Sequence, residues 1–96
     1  MKLRHAAALA LVGWYLLVPP LSRDDVPQNY LPLAQWRLIA SYDTAAECMA
    51  GSDGYLSGVK KGIARYKTNL QTAEALIRAA REAQCIATDD PRLKGT

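Results

Sequence analysis

The chain has 96 residues, of which 50% are hydrophobic, and its twelve Lys and Arg against nine Asp and Glu give a formal net charge of +3. So short a chain forms one domain at most. From Ser22 onward only ten basic residues face nine acidic ones, and this balance argues against a protein that binds nucleic acid through bulk charge.

The N-terminus carries the features of an export signal. Lys2 and Arg4 precede an uncharged apolar run from Ala6 to Val18, and two prolines follow it. Its thirteen residues fall within the range of about 7 to 15 for the core of a signal peptide and below the roughly 20 of a membrane-spanning helix. We therefore interpret residues 1–21 as an apolar helix that is a signal peptide or a signal anchor.

Cleavage or retention of this segment decides whether the protein is anchored. If it is retained, residues 3–18 cross the inner membrane, with Trp14 and Tyr15 near the outer interface where aromatic rings prefer to lie. If it is cleaved, the protein is periplasmic or secreted. Both alternatives place the chain from Ser22 onward outside the cytoplasm, whereas a buried helix of a cytosolic domain is the competing interpretation.

The next segment separates this helix from the predicted folded domain. Residues 22–34 contain Pro27 and Pro32 among polar residues, which is typical of an extended linker. The domain is predicted to occupy residues 35–96. It begins with a half-buried strand, because apolar side chains alternate along one side of it, at Trp36, Leu38, Ala40 and Tyr42.

A helix is predicted to follow that strand. Thr44 and Glu47 have the spacing of a capping box, in which each side chain satisfies a free backbone amide of the first turn. An apolar stripe predicts helix from about Tyr55 to Tyr66, joined or not to the first turns. Its continuity is left open by four glycines, Gly51, Gly54, Gly58 and Gly62. The stripe consists of Tyr55, Val59, Ile63, Tyr66 and Leu70.

A second helix and a second strand complete the predicted domain. Thr68 with Gln71 marks the start of an alanine-rich helix, and its expected inward face is Ala73, Leu76, Ile77 and Ala80. Ile86 lies in a short strand that Asp90 ends, because the residue before a proline is held extended. The resulting fold class is α+β, a small β-α-α-β domain whose two-stranded antiparallel sheet is covered by helices.

The two cysteines, Cys48 and Cys85, most simply form one disulfide in an oxidising compartment. In the chain-entropy model, a disulfide that closes a loop of about 38 residues stabilises the folded state by roughly 4 kcal/mol. Two alternatives remain open. A thiol near a helix N-terminus is activated by the helix dipole, and zinc would need further ligands, although His5 is the only histidine and lies in the apolar N-terminus.

The stretch KKGIARYK forms a candidate basic patch of four cations, Lys60, Lys61, Arg65 and Lys67. Its ordinary interpretation is the solvated face of an amphipathic helix. The alternative is contact with anionic lipid head groups, where each cation near the surface contributes about 1 kcal/mol.

Other chemistry-bearing residues favour structural roles. Asp89 and Asp90 could join Asp53, or Asp24 and Asp25, around a cation, but an acidic pair after a strand is usually a solvated turn. Trp36 and Tyr42 are expected in the core rather than on a ligand-binding surface. We therefore predict no metal site, no cofactor and no enzymatic activity.

Three stretches together resemble a family of small exported proteobacterial proteins of uncharacterised function: GWYLLVPP, WRLIASYDTAAEC and QCIATDDPRLKG. The resemblance covers both ends of the chain and little of the middle. It implies an exported protein with an apolar N-terminus, a Trp-led strand and two cysteines, and it implies no catalytic residues.

The predicted protein is a structural or interaction module of the cell envelope, with another envelope component as its expected partner and no nucleic acid. Two alternatives are a periplasmic protein that binds a small ligand or peptide, and a thiol redox protein. Localisation is expected on the periplasmic side of the inner membrane, or in the periplasm or medium after cleavage.

Overall fold

The computed structural model describes residues 12–94 and has the α+β fold class predicted from the sequence. Three strands form one antiparallel sheet in the order β2-β1-β3. The elements in chain order are strand β1 (Trp14–Val18), a 3-10 helix (Leu33–Gln35), strand β2 (Arg37–Tyr42), helix α1 (Ala45–Tyr66), helix α2 (Leu70–Arg81), strand β3 (Gln84–Ala87) and a second 3-10 helix (Pro91–Leu93).

The central strand lies in the segment that we predicted to be an N-terminal apolar helix. Its residues Leu16, Leu17 and Val18 are buried, and both of its edges are paired, one with β2 and one with β3. The predicted two-stranded sheet is therefore wrong, because the two predicted strands flank β1 instead of pairing with each other. A strand covered on both faces has an unbroken apolar sequence, so its pattern does not distinguish it from a membrane helix.

The remainder of the predicted apolar helix, residues 1–11, lies outside the described residues. Among residues 12–94, none of the helices combines the length and the apolar composition needed to cross a membrane.

Helix α1 covers one face of the sheet and contacts all three strands; we call this the helix face. Leu16, which is fully buried, points to it together with Cys85, since paired residues of antiparallel strands share a face. Gly51 permits the close approach of α1, because a Cβ at this position would overlap the hydroxyl and ring of Tyr42.

A β-bulge in β2 changes which side chains share a face. Ala40 pairs with Leu16 and Leu38 pairs with Leu17, so Ile39 is the extra residue between them. Because Leu16 and Leu17 point to opposite faces, Leu38 and Ala40 do so too. The predicted one-sided alternation along this strand is therefore interrupted at the bulge.

The opposite face of the sheet, which we call the loop face, is covered by irregular segments. Leu17, Trp36 and Ile86 form its buried cluster, and the partly buried side chains packed around it are Tyr15, Leu31, Leu33 and Leu93. The indole nitrogen of Trp36 donates a hydrogen bond to the carbonyl of Leu31 at 2.9 Å. Trp36 is thus a core residue, as predicted.

The segment that we interpreted as an extended linker, residues 22–34, is packed into the domain. Asn29 donates a side-chain hydrogen bond of 2.8 Å to Glu82, and Thr72 of α2 donates one of 2.7 Å to Asp25. Turns, and not a continuous extended backbone, shape this segment, and these contacts and its leucines attach it to both ends of α2 and to the loop face.

Helix α1 begins after the predicted N-cap Thr44, although the Glu47 carboxylate is bonded to the Thr44 hydroxyl and not to its backbone amide. The hydroxyl of Thr44 accepts a hydrogen bond of 3.1 Å from the backbone amide of Glu47 and donates one of 3.1 Å to its carboxylate. The helix then continues without interruption to Tyr66, so the two predicted helical stretches are one element. Added Cβ atoms at Gly54, Gly58 and Gly62 would meet no other atoms within 4 Å.

Helix α2 starts one residue later than predicted, and its inward face agrees with the predicted one at Ala73 and Ala80. Lys67 adopts a left-handed conformation with φ of 50°, which reverses the chain and leaves Thr68 in the turn. Asn69 caps the helix by accepting a hydrogen bond of 2.9 Å from the amide of Thr72. The buried residues are the small ones, Ala73, Ala75, Ala79 and Ala80, whereas Leu76 and Ile77 are half-buried.

Candidate functional site

The disulfide predicted from the two cysteines is present. Cys48, in the first turns of α1, is bonded to Cys85 of β3, with their Cα atoms 6.0 Å apart. The bond lies on the helix face, where Cys85 pairs with Leu16 of the central strand. It therefore connects the two structural layers covalently at the centre of the domain.

The surroundings of the disulfide are unfavourable for thiol exchange at Cys48. Its side chain is 0% exposed, whereas exchange requires a thiolate to reach the attacked sulfur. Cys85 is half-buried and borders a surface depression. The helix N-terminal position that favours a reactive thiol thus holds a buried, bonded sulfur instead.

Two depressions among the described residues are shallow and offer little chemistry. One has a volume of about 260 Å³ and lies beside the disulfide, lined by Met49, Ser52, Asp53, Ala83 and Cys85. The other, of about 350 Å³, lies on α2 and is lined by Glu74, Ile77, Arg78 and Arg81. Neither set contains the nucleophile, base and orienting group of a catalytic triad.

The four predicted basic residues, Lys60, Lys61, Arg65 and Lys67, are all exposed and lie at the far end of α1 and in the turn after it. We call residues 60–70 the hairpin tip, since α1 and α2 pack on each other and are joined there. No Asp or Glu occurs from Gly54 to Ala73. The tip is therefore a concentrated positive surface.

Two large apolar side chains accompany these cations. Tyr66 is 76% exposed and Leu70 is 73% exposed, although we predicted both as members of the inward stripe of the helix. The guanidinium of Arg65 lies 6.0 Å from the centroid of the Tyr66 ring. The sequence pattern did not predict this exposure, because an apolar stripe along a helix does not show which of its residues other elements cover.

Asp90, near the C-terminus, has a structural role. Asp90 caps the second 3-10 helix by accepting a backbone hydrogen bond from Arg92 at 2.9 Å, and it also pairs with the Arg92 guanidinium at 2.8 Å. The side-chain hydrogen bonds from Arg92, followed by the backbone one, hold the pKa of the Asp90 carboxyl below its ordinary value.

Two of the remaining candidate residues make structural contacts with other elements. Asp25 accepts the hydrogen bond from Thr72, and Tyr42 lies against Gly51 of α1. Within the part of the chain that the structure describes, no group of three or more His, Cys, Asp or Glu side chains is placed to hold a metal ion.

Comparisons of this chain with protein-family models, with curated proteins and with solved structures find no match in any of the three.

Proposed function

We propose that this protein is an exported, disulfide-stapled interaction module of the cell envelope, on the outer side of the inner membrane. The observation that carries the proposal is the disulfide between Cys48 and Cys85, with Cys48 fully buried. Structural disulfides persist in oxidising compartments and are rare in the cytosol. The resemblance of its three sequence stretches to small exported proteins supports the same compartment.

The proposal requires that the exported chain retain its central strand. A signal peptidase cut after residue 20 would remove β1, which both other strands need as a partner. We therefore propose an exported form whose N-terminus lies at or before Gly13, whose amide donates to the Thr88 hydroxyl at 3.2 Å. The membrane crossing predicted for residues 3–18 is not part of this proposal, because Trp14–Val18 lies within the sheet.

We propose a binding role rather than catalysis. Its support is the contrast between the shallow depressions, which hold no catalytic set, and the exposed cations and apolar side chains of the hairpin tip. Thiol redox chemistry is disfavoured by the burial of Cys48. A binding module, in contrast, needs a stable scaffold and an exposed surface, and this chain offers both.

The test is the intact mass of the protein purified from its native host and alkylated without prior reduction. We expect no alkyl group on either cysteine and an N-terminus at or before Gly13. Alkylation after reduction is the control and should add two alkyl groups. Recovery of a native chain with both cysteines alkylated would overturn the stapled module, and an N-terminus near residue 20 would overturn the requirement for β1.

A further inference from the structure

We propose that the hairpin tip, residues 60–70, binds the surface of an anionic lipid bilayer. This inference deepens the proposed function and rests on it, because it names the partner that the module contacts in the envelope. Three observations carry it: the segregation of charge, two exposed apolar side chains and the reach of the helical hairpin.

Charge is strongly segregated in the described chain. Residues 12–94 contain ten Lys and Arg and nine Asp and Glu, a nearly neutral total. Four of the ten cations lie in the hairpin tip, where there is no acidic residue, so the rest of the described chain has six cations against nine acids. The tip is therefore attracted to an anionic surface while the remainder is repelled by it, and this orients the molecule with the tip foremost.

The same tip exposes two side chains suited to the interface between water and lipid. Tyr66 ends α1 and Leu70 begins α2, and both are about three-quarters exposed, at 76% and 73%. Tyrosine prefers the head-group region because its ring is apolar and its hydroxyl is polar, and leucine inserts into the acyl boundary. Exposed side chains of this size next to cations are unfavourable in water and favourable at a bilayer.

The hairpin carries this surface away from the sheet. Cys48, bonded to β3, and Tyr66 lie eighteen positions apart in one continuous helix, which corresponds to about 27 Å along its axis. The tip can therefore touch a membrane while the sheet and the disulfide remain in the aqueous phase.

A lipid surface fits these observations better than a folded protein or a nucleic acid. The tip is the turn between two helices, and neither of the two depressions described above includes any of its residues. Nucleic-acid binding uses cations and aromatic rings, but it gives no reason for an exposed leucine. A bilayer accepts the cations and the apolar pair together.

The experiment measures sedimentation of the oxidised protein with vesicles of phosphatidylcholine, alone or mixed with phosphatidylglycerol. We expect binding only to the anionic vesicles, weakening as salt rises because screening shortens the range of the charges. The charge variant of the tip replaces four cations by glutamine: K60Q, K61Q, R65Q and K67Q. We expect its binding to be at least about a hundredfold weaker.

A matched control loses four exposed cations from other parts of the chain: R23Q, R37Q, R78Q and K94Q. We expect it to bind nearly as well as the native protein, although its net charge equals that of the tip variant. A further variant, Y66S with L70S, keeps every charge. Its binding should be at least about tenfold weaker, because the apolar contribution is lost.

Several outcomes overturn the proposal. Equal losses of vesicle binding in the tip variant and the matched control would show that binding depends on net charge alone. Undiminished binding of Y66S/L70S would exclude insertion of the two apolar side chains. No vesicle binding, or preferential binding of a single-stranded oligonucleotide through the same cations, would exclude the bilayer as partner. The failures are separable: a closed disulfide in the native protein without vesicle binding rejects only this inference, whereas free thiols with vesicle binding reject only the proposed compartment.

Discussion

The two faces of the sheet are stabilised in different ways. The helix face is covered by the long α1 and joined to it through Cys48 and Cys85. The loop face is covered by segments with little regular structure, and its cluster centres on Trp36. A domain of this size buries little apolar surface on either side, so a covalent bond on one face and a single large aromatic side chain on the other make up for a small core.

The largest expected effect comes from removing strand β1, which contributes buried side chains to both faces of the sheet. A chain that begins at Ser22 lacks β1, so β2 and β3 lose their common partner and both apolar layers lose their central residues. We expect this chain to be unfolded by circular dichroism and by the poor dispersion of its amide NMR spectrum.

The control is a chain that begins at Val12, just before the first hydrogen bond of the described fold, that of Gly13. It should retain the native spectrum. A folded Ser22 chain would show that the central strand is dispensable.

Loss of the disulfide should destabilise the whole domain, because it removes the covalent link of the helix face. Cys48→Ser, Cys85→Ser and the double variant should each lower the free energy of unfolding by about 4 kcal/mol, because each opens the same loop. Urea unfolding measures the loss, and the reduced native protein serves as a control that should match the variants. A double variant much less stable than the singles would show that the thiols contribute separately.

The close approach of α1 to the sheet can be tested by two substitutions that should change the stability in opposite directions. Gly51→Ala should destabilise by about 1 to 3 kcal/mol, because its Cβ overlaps Tyr42. Gly54→Ala, in the same helix but facing open space, should stabilise by about 0.5 to 1 kcal/mol. Thermal melting reports both, and Tyr42→Phe should partly rescue Gly51→Ala. Equal effects at the two glycines would contradict the packing of the helix face.

On the loop face, Trp36→Phe should cost about 1 to 2 kcal/mol. It removes the indole hydrogen bond to the Leu31 carbonyl and reduces packing in the buried cluster. Tyr30→Phe is the control, since Tyr30 is 73% exposed and its hydroxyl only accepts from Gln28. Urea midpoints compare the two variants, and comparable losses would show that the loop face does not depend on Trp36.

The smallest effect concerns Asp90, the N-cap of the 3-10 helix Pro91–Leu93 that packs on the loop face. The pKa of Asp90 is lowered in the folded protein by Arg92, so the stabilisation is present above the ordinary carboxyl pKa and is lost as the pH falls through the lowered value. Asp90→Asn should therefore lower the melting temperature slightly at neutral pH and have no effect in strong acid. Asp89→Asn removes the same charge one position away and should lower the melting temperature less. An effect of Asp90→Asn that persists in acid would contradict a stabilising role for the ionised Asp90 carboxylate.

Local signals were sufficient for several elements of the fold. The start of α1 follows from the Thr44 and Glu47 pair, and the disulfide follows from having two cysteines and an expected export route. The basic patch could also be located, since charge is visible in the sequence. The start of α2 was missed by one residue because Asn69, not Thr68, ends up with its side chain over the first free amides.

What the sequence by itself determined is thus local: a capping box, an apolar stripe, a cysteine pair and a run of cations, each of which acts within a few residues or through composition. The tertiary structure decided the rest. Whether Trp14–Val18 is a helix or a central strand depends on the two distant strands that pair with it, and whether Tyr66 is core or surface depends on where the covering elements end. Burial on both faces and the reach of a partner helix are properties of long-range contacts, which a one-dimensional apolar pattern does not contain.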